Sequence, residues 1–192
     1  MDHEISAHYA EGREQDRLLD GGDHLELVRT RELLTRFLPS PPADVLDVGG
    51  GAGVYSSWLA RLGYRVLLVD PMPLHVAQAQ AAAAAQPDAP FAATLGDARA
   101  LAQPDASADA VLLLGPLYHL IERADRVQAL REARRVARPD GVVIAAAISR
   151  FASLLDGMQA GWLDDPAFIP IYTGGLRDGQ HRNPTRDPRW FT

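Results

Sequence analysis

The stretch that decides the fold is "VLDVGGGAG", residues 45 to 53, in which three consecutive glycines follow an apolar run. Asp47 stands two residues before the first glycine. Glycines at a strand-to-helix turn accept positive φ and let a ligand lie against the backbone, and the following helix offers free N–H groups to an anion. The stretch therefore predicts a ligand-binding turn. It leaves the ligand open, because Gly51, Gly53 and Ser56 nearly fit the dinucleotide fingerprint as well.

The composition is that of an ordinary folded protein. The chain has 192 residues, of which 47% are hydrophobic and 23% charged, a length typical of one domain. Its net charge of -6 argues against a nucleic-acid partner, because such binding rests on clustered basic residues. Cysteine is absent, and no H-x-x-x-H or carboxylate cluster suggests a metal. The sequence shows neither a signal peptide nor a membrane span, so we expect a cytoplasmic protein without membrane contact.

Short apolar runs alternate with helical segments along most of the chain. The runs typical of strands are residues 45–48, 65–70, 91–97, 108–115 and 141–149. The predicted helices cover residues 24–38, 53–62, 73–86, 122–137 and 150–161. Val/Leu/Ile runs without strict polar alternation, separated by helices, indicate parallel strands buried on both faces. The pattern predicts an α/β fold with a doubly wound, mostly parallel sheet and a ligand at the carboxyl ends of the strands.

The expected organisation is a single domain in three parts. Residues 1–42 form an N-terminal helical segment, residues 43–149 form the core, and residues 150–192 form a helix followed by an irregular segment. After residue 150 only "FIPIY" (168–172) is a candidate strand, and its internal Pro170 counts against it.

Acidic residues stand at the ends of the second and third predicted strands. Asp70 ends "VLLVDP", Asp97 lies in "GDAR", and "LGPLYHL" (114–120) opens the loop after the fourth strand. A further stretch, "ALREARRVARPDGVVIAAA", leads into the fifth strand. In this ordered set, which spans residues 43–148, the sequence resembles the class I S-adenosylmethionine-dependent methyltransferases, the small-molecule branch in particular.

The resemblance implies that the cofactor's methionine part lies on the glycine turn. Gly49, Gly50 and Gly51 would pass beneath it, and Asp47 would fix this loop or bind the ammonium group through water. Asp70 would accept both ribose hydroxyls. A cofactor without phosphates fits bare backbone, because its carboxylate can meet backbone amides.

The adenine and the acceptor also have implied positions. Pro71 or Met72 would pack against the adenine ring, while Asp97 and the Ala98 backbone N–H would read its edge.

The loop after the fourth strand would face both the cofactor and the acceptor. The backbone at Leu114 and Gly115 would face the methionine ammonium. His119 is the candidate general base, and Tyr118 beside it is a candidate substrate contact; the alternative for His119 is an imidazole with a structural hydrogen bond.

The N-terminal segment is expected to act as a lid, since in similar proteins this segment folds over the cofactor. Tyr9, Arg17 and Arg29 are its candidate contacts with cofactor or substrate, because an arginine can hold a carboxylate through two hydrogen bonds. For each of them alone, exposure to solvent is the alternative.

The implied activity is methyl transfer from S-adenosyl-L-methionine to an oxygen, nitrogen or carbon nucleophile of a small molecule, with S-adenosyl-L-homocysteine as product. Two alternatives stay open: a protein that binds the cofactor without turnover, and a nicotinamide-dependent oxidoreductase. The sequence does not identify the methyl acceptor, because one fold can serve many different functions.

The family's sheet ends in an antiparallel hairpin, in the order 3-2-1-4-5-7-6, and residues 150–192 contain no two β-rich runs that could form it. We therefore expect the order 3-2-1-4-5, with residues 142–149 as an edge strand. A free apolar edge invites association. Either a homodimer pairs through it, or residues 150–192 cover it.

Overall fold

The computed structural model describes residues 24–185 and 187–190. These residues form two compact units, divided between Ala146 and Ala147. The first unit contains, in chain order, α1 (His24–Phe37), β1 (Asp44–Val48), α2 (Val54–Arg61), β2 (Arg65–Asp70), α3 (Pro73–Ala84), β3 (Ala92–Leu95), β4 (Ala108–Leu113), α4 (Pro116–His119), α5 (Arg123–Val136) and β5 (Ala137–Ala145). The second contains α6 (Ala152–Ala160), α7 (Ile169–Asp178) and a 3₁₀ turn (Pro188–Trp190). None of the helices described is both long and apolar enough to span a membrane.

The five strands form one parallel sheet in the order β3-β2-β1-β4-β5, which confirms the prediction. Successive side chains of a strand point to opposite faces. Val45 and Leu112 accordingly belong to an apolar layer shared with α1, α2 and α3, whereas Leu46 and Val111 belong to the layer shared with α5. Burial on both faces is the reason why these strands are continuous apolar runs.

The fifth strand lies at the predicted edge of the sheet but begins and ends four residues earlier than expected. Arg138 forms ion pairs with Asp109 and Asp44, and these hold the chain extended immediately after α5. The strand ends at Ala145 because its neighbour β4 ends opposite it, at Leu113. A homodimer through this edge stays a prediction.

The second unit contains one predicted helix and one that the sequence did not predict. The segment expected to be irregular forms α7, and "FIPIY" contributes to this helix rather than to a strand. Pro170 lies in the first turn of α7. In that turn the backbone N–H groups have no partner within the helix, so the missing N–H of a proline costs nothing, and the fixed φ of proline is helical. Residues 150–185 and 187–190 form no strand.

An aromatic cluster packs the second unit. Phe168 and Trp190 are buried, with ring centroids 5.4 Å apart. His181 bridges two segments of this unit, since its Nδ1 lies 2.8 Å from the Ser153 Oγ and its Nε2 lies 2.9 Å from the Trp190 carbonyl oxygen. These contacts give His181 a structural role.

Candidate functional site

A cavity of about 210 Å³ opens at the carboxyl ends of the strands. Its wall combines the glycine turn after β1, the end of β2, the turn after β3 and the loop after β4, together with two residues of α1. The predicted site residues that line it are Asp47, Gly49, Gly50, Gly51, Asp70, Pro71, Met72, Asp97, Ala98, Leu114, Gly115, Tyr118 and His119. Parallel strands bring their carboxyl ends to one edge of the sheet, and this collects residues from distant parts of the chain.

The three consecutive glycines serve different purposes. A Cβ on Gly49 would lie 2.7 Å from the Pro116 ring, and a Cβ on Gly50 would lie 2.6 Å from Oδ2 of Asp47. Packing therefore requires both glycines. Gly51 has a positive φ of 58°, yet a Cβ there would have no heavy atom of the described residues within 4 Å. At Gly51 the backbone is bare toward open space, which is the condition for a ligand to lie against it.

Asp47 ties the end of β1 to α2. Its side chain is buried, and its Oδ2 accepts a 2.6 Å hydrogen bond from the Ser56 hydroxyl. Burial raises the pKa of Asp47 to about 6; the Ser56 hydrogen bond opposes this rise, and the nearby charge of Asp70 adds to it. The contact with Ser56 supports the expectation that Asp47 fixes the glycine loop.

Asp70 is held by three donors. Its Oδ2 accepts from the Gly51 backbone N–H at 3.0 Å, and its Oδ1 accepts from the Met72 backbone N–H at 2.9 Å. The Nδ1 of His75 lies 3.1 Å from the same Oδ1, and both side chains are only 5% exposed. The carboxylate at the end of β2 is thus tied to the glycine turn and to α3.

Sequence reasoning missed His75. The available signal was a single polar residue in the first turn of a helix that is otherwise rich in alanine, five positions after a strand-end acid. A lone histidine in such a place is not diagnostic, because its partner depends on how the helix packs against the strand.

Asp97 is paired with Arg99, a second residue that sequence reasoning missed. Asp97 accepts from the backbone N–H of Arg99 at 2.8 Å and from its guanidinium at 2.6 Å. Arg99 also donates to Asp125 of α5 at 2.8 Å. The hydrogen bonds from Arg99 lower the pKa of Asp97, so the carboxylate stays ionised at neutral pH. It remains 43% exposed, which leaves it accessible to a donor in the cavity.

The loop after β4 is fixed by Tyr118. Its hydroxyl donates to the Leu114 carbonyl oxygen at 2.8 Å, and its ring meets that of His119 edge to face, with centroids 4.7 Å apart. Tyr118 thereby holds α4 against the end of β4. His119 lines the cavity and is partly exposed, so the structure places it where a base could meet an acceptor.

Of the three predicted lid contacts, only Arg29 belongs to the described residues, and it does not line the cavity. Tyr9 and Arg17 lie outside the described residues. Arg29 is exposed and pairs with Glu32 on the outer side of α1, whereas Glu26 and Thr30 line the cavity. The rotation of α1 in the structure thus places Glu26 and Thr30, and not Arg29, in the cavity wall.

Within residues 24–185 and 187–190, no three His, Asp or Glu side chains are grouped as metal ligands would be.

Comparison with known proteins identifies the family. The profile of the methyltransferase domain family matches residues 46–145. The chain belongs to the class I S-adenosylmethionine-dependent methyltransferases. The matched range runs from β1 to the last residue of β5 and contains the glycine turn, Asp70 and Asp97. The resemblance stated from the sequence is thus confirmed, and S-adenosylmethionine is the cofactor of the family.

Individual relatives agree with this family assignment. A ubiquinone biosynthesis O-methyltransferase of Methylobacterium nodulans is 33% identical over 136 residues, which are 67% of this chain and 52% of that protein. The chain thus spans about half the length of the curated relatives it matches. A S-adenosylmethionine-dependent methyltransferase of Methanosarcina mazei superposes with a TM-score of 0.52 at 25% identity, over 56% of this chain and 52% of its own.

The fold alone is shared with a protein from Pyrococcus horikoshii OT3. It superposes with a TM-score of 0.60 at 24% identity and covers 73% of this chain and 65% of its own.

Proposed function

We propose that this family member binds S-adenosylmethionine in the cavity at the sheet's carboxyl edge and transfers its methyl group to a small-molecule acceptor. The observation that carries the proposal is the bare backbone at Gly51, with the Asp70 and Asp97 carboxylates lining the same cavity. Open space beside a glycine of positive φ also occurs at Gly161, so the proposal depends on its combination with the two carboxylates that line the same cavity.

The residues present fit the cofactor. Asp70 is positioned to accept from the ribose, and Met72 and Pro71 beside it offer an apolar surface to the adenine. Asp97, kept ionised by Arg99, can accept from the exocyclic amine. The turn around Gly51 presents backbone to the methionine part.

The reaction asks little of the protein beyond alignment. The bound cofactor supplies an activated methyl group, so the chain must hold donor and acceptor in line and exclude water. His119 is the group proposed to take a proton from the acceptor, because it lines the cavity on the loop after β4. A positioned base contributes about 10²- to 10⁴-fold to a rate.

An oxygen acceptor is the first candidate. The relative from Methylobacterium nodulans is named an O-methyltransferase, and a hydroxyl acceptor is the kind that profits from a base such as His119. Nitrogen and carbon acceptors are the alternatives. Because the chain spans about half of that relative, the acceptor is proposed only as a class.

The two alternative functions, a nicotinamide-dependent oxidoreductase and a protein that binds the cofactor without turnover, have less support. The third glycine of a dinucleotide fingerprint allows close approach of helix and strand, but Ser56 stands there and donates to Asp47 instead. Binding without turnover differs from the proposal only in the acceptor step, so a rate measurement separates them.

Calorimetric titration with S-adenosylhomocysteine tests the cofactor assignment, with a nicotinamide dinucleotide as the competing ligand. Asp70→Ala should weaken binding tenfold or more, since a hydrogen bond to a charged group contributes roughly 1.5–3 kcal/mol, and Asp70→Asn should lose less. Asp88→Ala, at an exposed position outside the cavity wall, is the matched control. Wild-type affinity in Asp70→Ala, or preference for the dinucleotide, would contradict the assignment.

A screen for transfer of labelled methyl groups to hydroxylated and amino-containing small molecules tests the activity. Tight cofactor binding with no acceptor methylated across both classes would favour a binding protein over an enzyme.

A further inference from the structure

The segment that follows β3 is fixed to one face of α5. Gln128 donates to the Arg99 carbonyl oxygen at 3.3 Å. Two turns further along the helix, Arg135 donates to the Leu101 carbonyl oxygen at 2.8 Å. The same segment begins with Asp97, which is proposed to read the adenine edge. The helix therefore sets where that carboxylate lies.

The side chain of Arg99 joins Asp97 to α5 a second time. Its Nε donates to Oδ1 of Asp97 at 3.0 Å, and its Nη2 donates to Oδ2 at 2.6 Å. Its Nη1 donates to Oδ2 of Asp125, in the first turn of α5, at 2.8 Å. A two-pronged contact of this kind fixes the plane of a carboxylate as well as its place. Asp97 thus takes its orientation from α5 through Arg99.

This contact matters more for geometry than for folding. The side chains of Arg99 and Asp97 are 35% and 43% exposed, and ion pairs as exposed as these contribute little to stability. A hydrogen bond to a ligand, in contrast, depends steeply on distance and angle. A carboxylate that turned freely in solvent would have to be ordered when the ligand binds, and this ordering lowers affinity.

We propose that Arg99, anchored by Asp125, is a positioning residue that sets how strongly this protein selects the amino group of its cofactor's adenine. The inference rests on the proposed function, in which Asp97 accepts from that amino group. Arg99 acts through Asp97, and Asp125 acts through Arg99. Asp125 is not among the described residues that line the cavity, so its effect on the ligand is indirect.

The wild-type protein provides the first test, by calorimetry with S-adenosylhomocysteine and its 6-deamino analogue. The analogue carries hydrogen in place of the adenine amino group and keeps every other group of the ligand. Its dissociation constant should be roughly tenfold higher or more, because it leaves the ionised Asp97 without that donor. This ratio of dissociation constants measures the selection of the amino group. A ratio near one would overturn the inference, since Arg99 would then have no selection to set.

Arg99→Met tests whether Arg99 is the cause. The substitution removes the guanidinium and keeps an unbranched side chain, so the ratio should fall roughly fivefold or more, through weaker binding of S-adenosylhomocysteine alone. Arg135→Met is the matched control, because it cuts the bonds of the same segment to α5 at Leu101 and Gln103. It should lower the melting temperature and keep the ratio. An unchanged ratio in Arg99→Met, or an equal fall in Arg135→Met, would overturn the inference.

A double substitution tests whether Arg99 acts through Asp97. Asp97→Ala should bring the ratio close to one by itself. Adding Arg99→Met should then change the affinity for S-adenosylhomocysteine by less than roughly twofold, because two residues that act as one unit are not additive. A further large loss would mean that Arg99 contacts the cofactor directly, and this would overturn its role as a positioning residue.

Two variants of Asp125 test the anchor on α5. Asp125→Leu removes the acceptor and should lower the ratio, whereas the amide oxygen of Asp125→Asn still accepts from Arg99 and should keep it. A residue with only a packing role would not separate the two variants in this way. Equal ratios in both would overturn the part assigned to Asp125.

The outcomes separate this inference from the proposed function. Wild type that does not bind S-adenosylhomocysteine would overturn both. Wild type that binds it and selects the amino group, with the same ratio in Arg99→Met, would overturn the inference and leave the function standing. If Arg99→Met does not fold, the pair of Asp125 variants decides, because a ratio that is kept in both or lost in both overturns the inference.

Discussion

Replacement of Gly51 by alanine should separate ligand binding from folding. In the structure the position has a φ of 58°, and within the part of the chain that the structure describes a new Cβ would meet no heavy atom within 4 Å. The methyl group would therefore project into the open space beside the turn, where the cofactor is proposed to lie. The substitution should fill part of the ligand's place without disturbing the protein around it.

Both effects can be estimated. A non-glycine residue with positive φ costs about 1–2 kcal/mol in folding stability, which lowers the melting temperature by roughly 2–8 °C in a chain of this size. A methyl group forced into a packed contact typically costs about 1–3 kcal/mol, so the affinity for S-adenosylhomocysteine should fall roughly five- to 150-fold.

Gly161→Ala is the matched control. Gly161 also has a positive φ, of 74°, and no heavy atom of the described residues lies within 4 Å of a new Cβ there, but it ends α6 and is not among the residues that line the cavity. The two variants share the backbone cost, and only Gly51→Ala should lose affinity. Thermal unfolding followed by circular dichroism and calorimetric titration with S-adenosylhomocysteine would measure the two effects. Unchanged affinity in Gly51→Ala would refute the proposal that the cofactor lies against this turn.

Three further substitutions have definite expected outcomes. Gly50→Ala should lower the free energy of unfolding by about 1–3 kcal/mol in chemical denaturation, because its Cβ would lie 2.6 Å from Oδ2 of Asp47 and 2.7 Å from Leu68; an unchanged midpoint would mean that the turn relaxes. Asp47→Asn should remove a pH dependence. The folded pKa of Asp47 is about 6 against an ordinary 3.8, so folded wild type keeps the proton to higher pH and loses stability as the pH rises from about 4 to about 6, by up to about 3 kcal/mol. Denaturation of both proteins at pH 4, 5, 6 and 7 would show this as a growing advantage of the variant, and parallel curves would contradict the raised pKa. His119→Gln should lower kcat by about 10²- to 10⁴-fold with a hydroxyl acceptor and leave the affinity for S-adenosylhomocysteine unchanged; an unchanged kcat would leave alignment alone as the source of catalysis.

Features that depend on residues close together in the sequence could be predicted from the sequence. The spacing of apolar residues and the local composition indicated the strands and most of the helices, because a strand buried on both faces must be a continuous apolar run. The glycine turn and the strand-end acids Asp70 and Asp97 could be assigned to one site, because parallel strands bring their carboxyl ends together. The strand order and the individual cofactor roles came with the family resemblance.

Predictions from the local sequence pattern were wrong for two elements, α7 and the start of β5. The segment that forms α7 was expected to be irregular, because Pro170 counts against a strand; in the structure Pro170 lies in the first turn of a helix, where proline is equally suited. The start of β5 was placed too late, because the ion pairs of Arg138 with Asp109 and Asp44 join residues up to 94 positions apart.

By itself, then, the sequence determined most of the helices and strands, where the chain needs bare backbone, and which acids stand at the carboxyl edge of the sheet. Only the tertiary structure decided the partners of those acids and the direction of the side chains on α1. His75 reaches Asp70 because α3 packs against the sheet, and Glu26 rather than Arg29 lines the cavity because of the rotation of α1. The reason is physical: periodicity reports which face of an element is buried, whereas a hydrogen bond depends on the position of two elements relative to each other.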